Sequence, residues 1–296
     1  MNKDEKKCPT KITIVTLHLK RKYHTSRFLK SLFSNTNHQL EVIVVSQESD
    51  NETVDFIQKI VKKYNDIKVI WNEKNVGCSK GRNQGIKEAT GDYIAVIDND
   101  VELTNNWLKP LIETLDSNQI IAAAASLVMT PQKKVQYSSK HVIERRKDRY
   151  HEIGLRYEIQ GQNTDHELDI QCNVPWYPTT CMLLRASYLR KIQGFDEKYL
   201  LCEEDKDVCM SLRKSGYLIC YDSRSKVIHH SYPRESEYAK VRENLVQINL
   251  DRNYFERKWT CKVIHEMTRE YLLQSGYSEE QINRFSRIPF FSRVVG

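Results

Sequence analysis

The chain has 296 residues, 40% of them hydrophobic and 29% charged, and a net charge of +7. That length holds one large domain or two modest ones, each with enough core to fold. No apolar run approaches the roughly 20 residues that cross a bilayer, and no apolar stretch follows the charged start Met1 to Lys7, so neither a membrane span nor a secretory signal is expected. In chain order, Ile12 to Thr16 is β-branched and short, a strand. Tyr23 to Phe33 carries Phe28, Leu29, Leu32 and Phe33 at helical spacing. Glu41 to Ser46 is a second buried strand. Thr53 to Tyr64 is a helix with Val54, Ile57, Ile60 and Val61 on one face, capped by Thr53 or Asn51. Ile67 to Trp71 is a third strand, Gly81 to Ala89 a helix ended by Thr90-Gly91, and Tyr93 to Ile97 a fourth strand. Trp107 to Leu115 adds a helix and Ile120 to Met129 a strand. Such strand–helix alternation predicts an α/β fold, a mostly parallel sheet covered by helices on both faces.

The second half is less regular. Residues 131–175 mix strands and loops. Thr180 to Leu184 is a strand, Ala186 to Ile192 a short helix, and Glu204 to Ser215 a helix ended by Gly216. Tyr217 to Tyr221 and Lys226 to His229 are strands. From Glu235 to Lys258 apolar residues recur near helical spacing, and the tail from Val263 to Gly296 reads as helical. The expected division is a catalytic domain over 1–236, with halves at about 11–105 and 106–236, and a helical extension over 237–296.

The eight cysteines form no Cys-x-x-Cys pair and no Cys/His ligand spacing. In a cytoplasmic protein they are expected to be free, partly buried thiols. The basic stretch Lys133, Lys134, Lys140, Arg145, Arg146, Lys147 and Arg149 is either a solvated face or an attractor for an anionic acceptor or the inner face of the membrane, to which the protein would bind peripherally. Nucleic acid is not an expected partner, because no binding motif accompanies the charge.

Asp98-Asn99-Asp100 closes the most strand-like run in the chain. Two carboxylates at the carboxyl end of a buried strand sit where α/β sheets bind ligands, and with one residue between them they reach a single hard cation. The plainer alternative is that these residues end a strand and begin a turn. Asp205 lies at the start of a predicted helix, crowded by Glu203, Glu204 and Asp207. Like charges raise its proton affinity and favour a general-base role, whereas the plainer reading makes these acids a helix cap. Arg82 can fork onto a phosphate or stack on a base. His229 can ligate as neutral imidazole, with His230 as competitor. Trp176 and Tyr177 form either a stacking platform for sugar or acceptor, or part of the core. Glycines at 77, 81 and 85 let one helix face lie close to the sheet.

Three stretches together resemble family 2 inverting, nucleotide-sugar-dependent glycosyltransferases of the GT-A fold. The first runs Asn75-Val76-Gly77-Cys78-Ser79-Lys80-Gly81-Arg82-Asn83-Gln84-Gly85-Ile86, through Gly91-Asp92-Tyr93 to Asp98-Asn99-Asp100. The second is Gly194-Phe195-Asp196-Glu197 with Glu203-Glu204-Asp205-Lys206-Asp207. The third is Val227-Ile228-His229-His230 followed by Arg252-Asn253-Tyr254-Phe255. The resemblance implies a nucleoside-diphosphate sugar donor bound by Thr16, Ser46, Arg82, Asn83, Asp98 and Asn99. It implies Mn2+ or Mg2+ on Asp98, Asp100 and His229, and a base at Asp205 with Glu204 as fallback. Trp176 and Tyr177 would meet a glycan, lipid-linked or peptide acceptor. Ser46 stands where the family usually has an Asp that helps hold the base, which leaves the donor nucleotide open. Two rival classes are a sugar-nucleotide nucleotidyltransferase, which needs a glycine-rich loop that Leu17 to Tyr23 lacks, and a glycan- or nucleotide-binding module on a decayed transferase, against which Asp98, Asp100 and Asp205 stand.

Overall fold

The computed structural model describes residues 10–64, 67–137, 141–147, 150–156, 170–230, 240–241 and 244–263. Its first half is β1 (Ile12–His18), α1 (Lys22–Ser34), β2 (Leu40–Ser46), α2 (Asn51–Lys63), β3 (Ile67–Trp71), α3 (Cys78–Glu88), β4 (Tyr93–Ile97) and β5 (Val101–Leu103). Strands β3, β2, β1 and β4 lie side by side, all parallel. Their carboxyl ends therefore open on one edge, where Ser46, Trp71, His18 and the Asp98-Asn99-Asp100 segment come together. Every residue of β4 is buried, which is why its sequence is a continuous apolar run instead of an alternating one.

The second half extends this sheet. α4 (Leu108–Ser117) leads to β6 (Ile121–Met129) and β7 (Val135–Tyr137), followed by β8 (His141–Lys147), β9 (Tyr150–Arg156) and β10 (Ile170–Cys172). Then come β11 (Cys181–Arg185), α5 (Ala186–Lys191), α6 (Glu204–Lys214), β12 (Leu218–His229), α7 (Leu245–Trp259) and β13 (Cys261–Val263). β11 runs antiparallel between β4 and β6, while β12 pairs parallel with β6. The main order is β10-β12-β6-β11-β4-β1-β2-β3, with β5 on β12 and β7 on β6. Strands β13, β9 and β8 form a small separate sheet. Phe255 of α7 and Cys261 of β13 belong to the same buried core as the main sheet.

Close packing of α3 on β1 follows from its glycines. A Cβ on Gly85 would lie 2.5 Å from Val15 Cγ1, and one on Gly81 would lie 2.5 Å from Gln47 Nε2. A larger residue at either position must displace the neighbouring side chain or move the helix. The close approach expected from the sequence is thus present.

Several expectations need correction. α2 is capped by Asp50, whose carboxylate accepts from the Thr53 amide at 2.7 Å, and not by Thr53 or Asn51. The two strands expected over 217–229 are one, β12, with register shifts against β6 between Leu218 and Ile219 and between Asp222 and Lys226. There Asp222 turns back to accept from the Arg224 amide at 3.0 Å. Cys172 and Cys220, expected to be free, are joined in a disulfide. They face each other across the antiparallel β10–β12 pair, a closeness that 48 residues of separation hide in the sequence. Cys78, Cys181, Cys202, Cys209 and Cys261 are in no disulfide among the described residues, and Cys8 lies outside them. The helical reading of 264–296 also falls outside them, and the helix expected from Glu235 is described from Leu245. Among the described residues no helix is long and apolar enough to cross a membrane.

Candidate active site

The acids at the end of β4 meet a histidine from far along the chain because of strand pairing. β5 follows Asp100 directly and runs antiparallel to the end of β12, with His229 opposite Val101. The His230 amide donates to the Asp100 carbonyl at 2.9 Å, which locks the two ends together. As a result Asp98, Asp100 and His229 each offer a ligand atom, all within 4.8 Å of one another. Two carboxylates and an imidazole suit Mn2+ or Mg2+. His229 Nδ1 lies 3.1 Å from Gln136 Oε1, an acceptor that keeps the proton on Nδ1 and turns Nε2 toward the acids. The Asp98 side chain is 38% exposed and that of Asp100 7%, so a ligand would reach Asp98 first.

The electrostatics divide the acids into distinct groups. Burial opposes ionisation of Asp100, yet His229 and the Arg21 guanidinium hold its carboxyl down at about 2. His229 is pushed up from the usual imidazole range: burial pulls it down, and Asp100 with Asp98 more than offset that. Arg82 is buried and forks, donating to Glu204 Oε1 at 2.7 Å and to Asp98 Oδ1 at 3.1 Å, with its guanidinium 5.4 Å above the Phe195 ring. It is raised further above its usual range, because Glu204 and Asp98 more than offset burial. Arg82 therefore ties the strand-end acids to the amino end of α6.

At that end Asp205 is half-buried. Burial, reinforced by Glu204 and Glu203 against the pull of Lys206, pushes its carboxyl up to about 7. Its Oδ1 accepts from the Lys206 amide at 2.7 Å. Glu203, just before the helix, adopts a left-handed conformation (φ 70°) that costs a non-glycine residue about 1 kcal/mol or more. Lys206 Nζ at 2.5 Å and Arg252 Nε at 3.8 Å hold its carboxylate there.

The remaining sequence candidates are placed as follows. Ser46 at the end of β2 and Thr16 near the end of β1 are buried; Ser46 Oγ accepts from Ser49 Oγ at 2.9 Å, and Thr16 Oγ1 has no partner among the described residues. Asn83 clasps the segment after α5, exchanging hydrogen bonds with the Phe195 carbonyl at 2.8 Å and amide at 2.9 Å. Asn99 donates to Thr25 Oγ1 at 2.8 Å. Tyr177 is fully buried and stacks on Tyr221, centroids 5.3 Å apart. Trp176 is nearly buried, with Lys206 Nζ 4.7 Å from its ring centroid and an indole N–H that finds no acceptor. The structure thus brings Arg82, Asp98, Asp100, Glu204 and His229 together, with Asp205 next to Glu204. It places Asn83, Asn99 and Tyr177 in packing contacts.

Sequence reasoning missed Arg21, Lys206, Asp251 and Lys258. Arg21, between β1 and α1, pairs with Asp100 Oδ2. Asp251 on α7 accepts from the amides of Leu200, Leu201 and Cys202 at 3.4, 2.7 and 3.0 Å, shaping the loop that leads to Asp205. Lys258 bridges Asp196 and Asp207, 2.8 Å from each. Signals existed for Lys206, inside the Glu203-Glu204-Asp205-Lys206-Asp207 stretch, and for α7, in the Arg252-Asn253-Tyr254-Phe255 stretch beside Asp251.

Comparison with known proteins places this geometry. The family model described as Glycosyl transferase family 2 matches residues 18–193, more than half of the chain. An N-acetylglucosaminyl-diphospho-decaprenol L-rhamnosyltransferase of Mycobacterium tuberculosis is 23% identical over 223 residues, covering 70% of this chain and 72% of the relative. A dolichol-phosphate mannosyltransferase of Pyrococcus furiosus is 32% identical over 111 residues, 36% of this chain and 31% of that one. Among solved structures, the mannosyltransferase PcManGT of Pyrobaculum calidifontis, in complex with GDP-Man and Mn2+, superposes with a TM-score of 0.59 at 14% identity. That match covers 81% of this chain and 63% of that one, and it speaks for the fold. Because the family match runs from the end of β1 through α5 and takes in the acids that close β4, this glycosyltransferase of GT-A fold belongs to glycosyl transferase family 2.

Proposed function

We propose that the protein transfers a sugar, with inversion at the anomeric carbon, from a nucleoside-diphosphate donor to a hydroxyl of a lipid-linked acceptor at a membrane surface. The observation that carries this reading is the pairing of two unlike acid groups through one guanidinium. Asp98, Asp100 and His229 lie on one side of Arg82, and Asp205, with its carboxyl pushed up to about 7, lies next to Glu204 on the other. Mn2+ or Mg2+ held by Asp98, Asp100 and His229 would neutralise charge on the departing diphosphate.

The chain's own groups supply the rest. Arg82 adds fixed positive charge beside the same phosphates. Asp205 takes the acceptor hydroxyl proton as the new oxygen–carbon bond forms on one face of the anomeric carbon. On the opposite face the bond to the phosphate oxygen breaks, and its electron pair leaves with the nucleoside diphosphate. A carboxyl near 7 suits this work, because it is partly ionised at neutral pH and still basic enough to accept the proton. The lipid-linked acceptor is favoured by the names of the decaprenol- and dolichol-phosphate relatives. Ser46 in the place of the family's usual Asp leaves the choice of donor base to experiment.

Thermal unfolding with each nucleoside diphosphate, with and without Mn2+, tests the proposal. One nucleotide at 100-fold above its Kd should add about 2.7 kcal/mol of stability. The gain should be larger when Mn2+ is present. Indifference to every nucleotide would leave a glycan-binding module as the better reading.

A further inference from the structure

Arg21 has no place in the chemistry above, yet its guanidinium, 6% exposed, lies against the proposed cation site. One end pairs with Asp100 Oδ2. The other donates to the His230 carbonyl at 3.1 Å and contacts His24 Nε2 at 3.1 Å. The fork therefore spans the end of β4 and the end of β12, the two segments that supply Asp100 and His229. With Oδ2 engaged, the buried Asp100 Oδ1 points to His229 Nε2, 3.3 Å away. A planar guanidinium can hold two such acceptors in fixed relation, which a lysine ammonium cannot.

We infer that Arg21 is a positioning residue for the cation site, presenting Asp100 through a single oxygen and aligning it with His229 by gripping the adjacent backbone. The inference rests on the proposed cation reading of Asp98, Asp100 and His229. It assigns to a residue of the first β–α turn, distant in sequence from both ligand segments, the task of holding them in register. Outer groups of this kind typically alter metal affinity by about 10–100-fold.

Titration of Mn2+ into the nucleotide-free protein, read by electron paramagnetic resonance, tests it with wild type, Arg21→Ala and Arg21→Lys. Arg21→Ala should bind Mn2+ about 10–100-fold more weakly. Arg21→Lys keeps the charge beside Asp100 and so guards against loss of fold, which circular dichroism checks; it should bind Mn2+ more weakly than wild type too. In turnover assays the Mn2+ concentration for half-maximal rate should rise while the donor KM at saturating Mn2+ stays unchanged, a split that a general packing defect does not give. If folded Arg21→Lys binds Mn2+ as tightly as wild type, or tighter, the positioning role is wrong and the cation reading stands. If wild type itself takes up no Mn2+, both fall together.

Discussion

Asp205 and Asp100 are both acids in buried surroundings, and the difference between them lies in their neighbours. Burial pushes both carboxyls up; at Asp100 His229 and Arg21 outweigh it, whereas at Asp205 Lys206 does not outweigh burial reinforced by Glu204 and Glu203, and the carboxyl holds its proton up to about 7. Replacing Asp205 by Asn should lower kcat by about 10²–10⁴-fold while donor affinity stays near wild type. In the wild type, kcat should fall as pH drops below about 7, and that acidic limb should vanish in the variant. Stability moves the other way. The folded-state pKa is raised, so between about 4 and 7 the native chain binds a proton that the unfolded chain has lost, and stability declines as pH rises through that window. Asp205→Asn should thus unfold at a higher temperature than wild type above pH 7, with the gap closing toward pH 4. A variant with wild-type turnover would remove Asp205 from the mechanism. Asp98, Asp100, Asp205 and Arg82 could be picked out as candidates in the sequence because their types and local positions point to a chemistry. Arg21 could not, since its partner Asp100 is 79 residues away and nothing near Arg21 in the sequence announces the pair.

Among the elements, α3 is the one whose seat on the sheet is set by missing side chains. A Gly85→Ala chain must push Val15 aside or lift α3 from β1, and overpacking of this kind costs about 1–3 kcal/mol. The midpoint of urea unfolding should drop accordingly, and donor KM should rise as Arg82 moves with its helix; an unchanged midpoint would show that the contact yields freely. The parallel strands were readable from their unbroken β-branched runs, and the helices from apolar spacing and glycine stops. The continuity of β12 was not, because Asp222, Ser223 and Arg224 look like a turn. Their polar side chains close the bulge within a strand that neighbouring β6 holds on both sides of it. The cross-strand disulfide escaped for a similar reason, since register is a property of pairing and not of either strand.

At the scale of the whole molecule, α7 returns to the loop in front of α6. Its Asp251 is buried, and three backbone amides with the Gln247 side chain satisfy it. Asp251→Ala would leave those amides, of which that of Leu201 is buried, without this acceptor, at a cost of about 1–3 kcal/mol for each one that water does not reach. Stability in urea should fall by that order, and acceptor KM should rise well before donor affinity changes. Equal losses on both substrates would mean that α7 supports the fold without shaping the acceptor side. Lys258, joining Asp196 to Asp207, fastens the same helix a second time.

The grip of Asp251 falls on main-chain N–H groups, which every residue except proline possesses. Part of what fixes the 200–202 loop is therefore independent of which side chains it displays. Leu200, whose side chain is exposed, could be exchanged while this main-chain grip on the path into Asp205 is kept.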